Sequence, residues 1–389
     1  MLSTAPHLPL ELYDKIISEL HSNTDSDTLK SLALSCRSLV TPSQKLLFSH
    51  IILRSPHTKC CSRMAQFGGT SSAFKILLEL SPHISHNVRF LAIFDDPHRS
   101  LSESDEMSCP IHLTTNWFPH DEDLHFCLSA VQKLEAFTFT YASTSVPEPP
   151  SWDEVSPTLV CAIRRLLQLP SLIYVDLQHS PILSLLKGTG STIKHLVMHR
   201  VYANPVIEAS LTPIIPPPTY LESLCIEEFC QMDVLVPILL GLGESYRTIS
   251  LYKLKKLPVT LEVNQSLIKV HQNLQRILEE CKDSLQEFIL APSIDVIASP
   301  MNAVSFIDRF REPLDLSILK SLKQFITYLE FSNSIDGIYD SMPWFINLLR
   351  CGCADYPSLA NITCYLDINY KTRNGRYHFV MARNSGLST

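Results

Sequence analysis

His195 and His199 come nearest, by type and spacing, to a metal-binding pair. On a strand they project to one face but stand roughly 13 Å apart at ~3.3 Å per residue. One ion cannot bridge that gap at ordinary ligand distances, so both are expected on a solvent-facing binding surface. Cys351-Gly-Cys353 has the spacing of half a metal site, but no second Cys or His pair stands at a suitable distance. A helix-end turn is expected there, and Cys60-Cys61 is similarly isolated. GTGST at 188–192 supplies the glycines of a phosphate loop without the Lys that must follow them, and reads as a turn. No Gly-x-Ser-x-Gly elbow offers a serine nucleophile. The acidic pairs Asp95-Asp96, Glu227-Glu228 and Glu279-Glu280 have no visible base or nucleophile and are expected on the solvated surface. No catalytic residue, metal ligand or cofactor site is assigned, and an enzyme would need titratable groups that converge only in three dimensions, for instance around residues 95–123.

The chain that must position these residues has 389 of them, enough for one large domain or a small one joined to a large one. A chain of that size buries about three quarters of its unfolded surface. With 45% apolar and 18% charged residues the composition is globular. The net charge of -7 and the lack of a basic stretch weigh against nucleic-acid binding. No apolar run approaches the ~18 residues of a membrane span. The opening MLSTAPHLPLEL has neither the basic region nor the unbroken apolar run of a secretory signal. The twelve cysteines are scattered, so reduced and mostly buried thiols in cytoplasm or nucleus are expected. The sequons at Asn264 and Asn361 are then expected to be unmodified.

The first fifty residues predict three short helices. Pro9 suits a first helical turn, and Leu12, Ile16 and Leu20, with Ile17 beside them, form an apolar stripe opposite Glu11, Asp14, Lys15 and Glu19. Asn23 to Asp27 supplies turn and capping chemistry for a second helix, DTLKSLALSCRSLV, lined on one side by Leu29, Leu32, Ala33 and Cys36. Thr41 and Pro42 predict the cap and first position of a further helix reaching Phe48, and His50 to Leu53 is expected as a strand leading out. So small a unit is marginal alone and must lean on the rest of the chain or on a partner.

This stretch resembles the F-box, the three-helix module that docks on the Skp-family adaptor of cullin-based ubiquitin ligases. The family pattern of Leu-Pro, Glu-Leu, two apolar positions, Leu, and a second helix ending in Cys-Arg maps onto Leu8, Pro9, Glu11, Leu12, Ile16, Ile17, Leu20, Leu32, Cys36 and Arg37. The resemblance implies that Leu8 and Pro9, with parts of both later helices, face the adaptor while the remaining apolar residues close the module. Leu39 stands where many members carry Trp. It keeps bulk but loses aromatic area, so weaker adaptor affinity is expected.

Beyond it a template of apolar-x-x-apolar-x-apolar recurs: VRFLAI (88–93), LEAFTF (134–139), LIYVDL (172–177), IKHLVM (193–198), LESLCI (221–226), YRTISL (246–251), LQEFIL (285–290) and LANITC (359–364). LKQFIT (322–327) fits poorly because Thr327 falls on an apolar position. The final three positions alternate as strands do. Helix-like runs lie between them: SSAFKILLEL, DLHFCLSAVQKL, SPTLVCAIRRLLQL, SLIKVHQNLQRILEEC and SMPWFINLLRC. Alternating strand and helix predicts a parallel sheet with helices outside. Successive strand starts are 21 (172 to 193) to 46 (88 to 134) residues apart, whereas regular leucine-rich repeats hold about 20–29. The usual asparagine is also absent. The expected fold class is therefore α/β: a three-helix F-box, then an irregular, degenerate leucine-rich-repeat solenoid, as in many fungal F-box proteins. A doubly wound sheet is the rival. Polar residues between the anchors (Thr138, Asp176, Ser250, Thr363) suggest one solvent-facing sheet face and favour the solenoid.

The expected domains are 1–53 for the F-box, 54–72 for a linker, 73–382 for the repeats and 383–389 for a tail. Residues 95–123, 146–154 and 212–219 are expected as loops on one rim. The expected function is substrate recognition in a cullin-type ubiquitin ligase, with catalysis left to other subunits and proximity as the contribution. Leu8, Pro9, Leu12, Ile16, Ile17, Leu20, Leu32, Cys36 and Leu39 would bind the adaptor, and through it a cullin. Phe90, Phe94, Tyr174, Gln178, His195, His199, Glu227, Tyr252, Glu287, Asn361 and Tyr365 would bind the target protein. The alternative is an interaction scaffold that never meets a ligase.

Overall fold

Apolar residues at helical spacing fold the opening stretch into α1 (Leu10–Ser18), α2 (Ser26–Ser35) and α3 (Arg37–Leu47). The computed structural model describes residues 10–20, 24–54, 68–94, 117–140, 155–178, 192–199, 201, 219–227, 232–240, 249–262, 267–293, 314–332, 358–369 and 377–384. The expected long second helix is divided. Cys36 is extended (φ −155°, ψ 137°), so α3 starts at Arg37 and Pro42 lies inside it instead of opening a helix. The backbone forms two compact units, Met1–Tyr174 and Val175–Thr389.

In the first unit, β1 (His50–Arg54) is followed by β2 (Gly68–Gly69), α4 (Ser71–Leu80), β3 (Phe90–Phe94), α5 (Leu124–Ala130), β4 (Ala136–Thr140) and α6 (Pro157–Leu167). β1 pairs in parallel with β2 and β3, and β3 in parallel with β4. The predicted anchors Val88, Leu91 and Ile93, and Leu134, Phe137 and Phe139, are all fully buried. Helix starts follow their capping residues: the Thr70 hydroxyl accepts from the Ala73 N–H on α4, and Ser156 from the Leu159 N–H on α6.

Three expectations change here. The joint drawn at 54–72 contributes structure at both ends, with Arg54 in β1 and Gly68–Gly69 as β2 alongside it. Thr138, expected in solvent, is buried with Ala92 and Thr140, so β3 and β4 are covered on both faces. The end of the expected 95–123 loop is core: Phe118 is fully buried with its ring 4.7 Å from Phe139, and the Trp117 indole donates to the Phe94 carbonyl at 3.2 Å.

In the second unit the sheet runs β5 (Tyr174–Gln178), β6 (His195–His199), β8 (Ser223–Glu227), β10 (Lys256–Glu262), β11 (Glu287–Ser293), β12 (Gln324–Ser332), β13 (Asn361–Asn369) and β14 (Tyr377–Asn384). From β6 to β13 every pairing is parallel; β14 is antiparallel to β13. β7 (Thr219–Tyr220) and β9 (Ile249–Ser250) form a separate parallel ribbon. Helices α7 (Met232–Leu240) and α8 (Leu267–Glu280) connect strands. Strand order follows chain order without reversal, unlike a doubly wound sheet, which has a switch point. β5 and β8 alternate buried and partly exposed residues, as a sheet with one covered face does.

A repeated hydrogen bond sets the register. One carbonyl just before each strand accepts two successive N–H groups at the start of the next: Lys194 from Glu222 and Ser223, Glu222 from Lys255 and Lys256, Lys255 from Gln286 and Glu287. Gln286 and Lys323 continue the series, all at 2.8–3.2 Å. In the first unit Ser49, Arg89 and Glu135 do the same at 2.7–3.1 Å.

The expected YRTISL strand is corrected: Ile249–Ser250 belongs to the ribbon, and its place in the sheet is taken by Lys256–Glu262, anchored by Leu254, Leu257 and Val259. LKQFIT, judged a poor fit, is a full strand paired on both sides. The tail loses Arg383 and Asn384 to β14. The fold class stands as α/β with a large parallel sheet and helices. No described helix is long and apolar enough to cross a membrane.

Candidate functional site

Ile17, Leu29 and Leu39 form the centre of the three opening helices, with Tyr13, Leu20, Leu32, Leu46 and Leu47 packed against them. That cluster uses only part of the apolar surface. Leu12 and Ile16, one turn apart on α1, are 44% and 54% exposed, and Leu34 on α2 is 88% exposed. The adaptor-facing residues expected from sequence therefore separate into two sets. Leu12, Ile16 and Cys36 face solvent, Leu20 and Leu32 are half-buried, and Ile17 and Leu39 are interior supports. Leu8 and Pro9 lie outside the described residues. Leu34 was missed, because on a helical wheel it falls outside the stripe that Leu29 and Leu32 define.

At the break between α2 and α3 the Cys36 thiol lies 2.8 Å from the Ser38 hydroxyl. That hydrogen bond, with the Ser38 and Leu39 backbone N–H groups, lowers its pKa.

Three of the expected target residues, His195, Glu287 and Asn361, share one row set by the sheet register. His195 pairs with Ser223, Ser223 with Lys256, Lys256 with Glu287, Glu287 with Gln324 and Gln324 with Asn361, which makes one row across the second unit. His195, Glu227, Glu287, Gln178 and Tyr174 are partly exposed, and Asn361 is exposed. His199 is a correction, being 9% exposed and buried instead of solvent-facing. Phe90 and Phe94 in the first unit are half-buried and already engaged, Phe90 by the His50 ring at 5.4 Å and Phe94 by the Arg54 guanidinium at 5.3 Å. Of Tyr365 only the strand position is described. Tyr252 is off the row, in the turn before β10, exposed, edge-on to Tyr220 at 4.9 Å and capped by the Lys253 ammonium. Its neighbourhood of cation and aromatic rings follows from the ribbon, which no local sequence signal announces.

Titratable groups do meet where α4 approaches α5. Asp121 accepts from the Ser71 hydroxyl and from the Asp123 and Leu124 N–H groups, and Asp123 accepts from Ser72 and Lys75, both at 2.7 Å. Lys75 hydrogen-bonds hold the Asp123 carboxyl below its ordinary pKa, and the same bond raises that of Lys75. Burial, with the nearby Asp121 and Asp123 charges, pushes the Cys127 thiol up to about 12. A general base or nucleophile needs the opposite, a pKa drawn toward working pH. This network fastens two helices together. Among the described residues no group of three His, Cys, Asp or Glu side chains is placed to hold a metal ion.

Known protein-family models and curated protein sequences give no match to this chain.

Proposed function

We propose that this protein is the substrate-recognition subunit of a cullin-type ubiquitin ligase, its opening helices an F-box and its sheet units a degenerate leucine-rich-repeat array. The observation that carries the reading is that α1–α3 close a core around Ile17, Leu29 and Leu39 yet leave Leu12, Ile16 and Leu34 in water. Leu12 and Ile16 stand one turn apart on one face of α1 and form a contiguous exposed apolar pair, which suits an interaction surface. Leu12 and Ile16 match the F-box pattern residue for residue. The repeat reading draws support from the unreversed strand order of the second unit and from the strand-start carbonyl that recurs from one strand to the next. In such an array each repeat contacts its neighbours, and the partly exposed sheet row offers a surface for a target.

In this scheme the adaptor meets Leu12, Ile16, Leu34 and Cys36, with Leu8 and Pro9 assigned to it by the sequence pattern alone, while Ile17 and Leu39 hold the helices in place. Copurification of the tagged chain with mass spectrometry tests the assignment. A Skp-family adaptor and a cullin recovered together support it; a folded chain that brings down other proteins but neither of these is an interaction scaffold, and the ligase reading fails.

A further inference from the structure

We infer that the strand-start edge of the second unit binds an acidic target segment whose carboxylates recur at every third residue. The inference rests on the reading of this unit as the target-binding part of the molecule. The residues immediately before β6, β8, β10, β11 and β12 are Lys194, Glu222, Lys255, Gln286 and Lys323, and the repeated backbone bond stacks them in one row. The three lysines are exposed and fall on alternate strands. Neighbouring strands lie ~4.8 Å apart, so these ammonium groups are rooted at intervals of about 10 Å.

Charge in the row is uneven. Glu222 is held by Lys194 at 3.2 Å and Lys255 at 2.8 Å, one carboxylate between two cations. Among the described residues Lys323 reaches only a neutral amide, Gln286, at 3.4 Å. In the turns below, Lys253 covers the Tyr220 ring at 4.5 Å and Lys282 is exposed. Two acids of this edge are engaged, Asp283 by Lys320 at 3.5 Å and Glu287 by Lys256 at 2.9 Å. Within the row three lysines stand against one carboxylate, in a chain whose net charge is -7, and that local excess suits an anionic partner.

The spacing narrows the partner's form. A polyproline II segment repeats every three residues at ~3.1 Å each, so positions i, i+3 and i+6 share one face about 9 Å apart. Acidic residues at those positions match lysines on alternate strands, with the intervening neutral positions over Glu222 and Gln286. A continuous phosphate backbone would instead set charge against Glu222.

Fluorescence anisotropy with a labelled (Glu-Ser-Pro)4 peptide on the full chain tests this, against a peptide of the same composition with its glutamates in one block. The wild type should bind the spaced peptide several-fold tighter and lose affinity as salt rises. Lys323→Glu, which breaks no ion pair among the described residues, should weaken binding at least tenfold, and Lys255→Gln should weaken it less. Glu222→Gln, which removes the competing carboxylate, should tighten it. Equal affinity for both peptides, an unaffected Lys323→Glu variant, or tighter binding of a single-stranded oligonucleotide would overturn the inference. Adaptor recovery should be unchanged in Lys323→Glu. Loss of adaptor binding with peptide discrimination intact therefore sinks only the docking reading, and the converse sinks only this one.

Discussion

Glu222 stands between Lys194 and Lys255, and their hydrogen bonds, Lys255 foremost, pull its pKa down to about 2. A carboxylate depressed in the folded state stabilises that state above its unfolded pKa, ~4.3, and the contribution fades as pH falls toward 2. Solvent screens such pairs, so the effect is about 1 kcal/mol or less. Glu222→Gln should accordingly melt below the wild type at pH 7, and the gap should close as thermal scans are taken down toward pH 2. Cysteine chemistry should divide as sharply. Cys36 is exposed with a lowered pKa, whereas burial lifts Cys127 and Cys281 to about 12. Brief treatment of the folded chain with iodoacetamide should modify Cys36 and spare Cys127 and Cys281, as peptide mapping will show. Which of two adjacent apolar residues turns inward was not legible in the sequence. Ile16 and Ile17 both satisfy the helical period, and only the packing of α1 against its neighbours buries Ile17 and leaves Ile16 in solvent.

At the scale of elements, the same contrast gives a stability prediction. Leu29→Ala removes a fully buried side chain from the small core of α1–α3 and should cost about 2–5 kcal/mol. Leu12→Ala with Ile16→Ala removes exposed side chains and should stay within about 0.5 kcal/mol of wild type per site. Urea titrations of both variants will measure the difference, and equal losses would mean that Leu12 and Ile16 are covered in solution. Strands were the most legible elements, because the last two anchors, two residues apart, must point to one covered face, as Leu91 and Ile93 of β3 do. The strand at 256–262 escaped notice because Pro258 argues against an interior strand. The β8–β10 register explains its tolerance: it pairs Lys256 with Ser223 and Val259 with Ile226, passing over Leu257 and Pro258. The break at Cys36 carries neither Gly nor Pro, so nothing in SCRSLV marked where α2 ends.

For the whole molecule, sequence and structure agree on an α/β chain whose second unit adds parallel strands in chain order. The irregular spacing of the anchors left the register open, and the recurring strand-start carbonyl supplies it. Local patterning could not reveal the charge relation of residues such as Lys194, Lys255 and Lys323, because they meet only after the strands stack. Under the proposed function the opening helices of the first unit keep apolar side chains for another protein. Calorimetric titration of a purified Skp-family adaptor into the wild type and into the folded Leu12→Ala/Ile16→Ala/Leu34→Ala variant measures this directly. Loss of an interface anchor typically costs about 2 kcal/mol, so saturable binding to the wild type and at least a thirtyfold weaker Kd in the variant are predicted. No heat of binding with the wild type, or the same Kd for both proteins, would contradict the account.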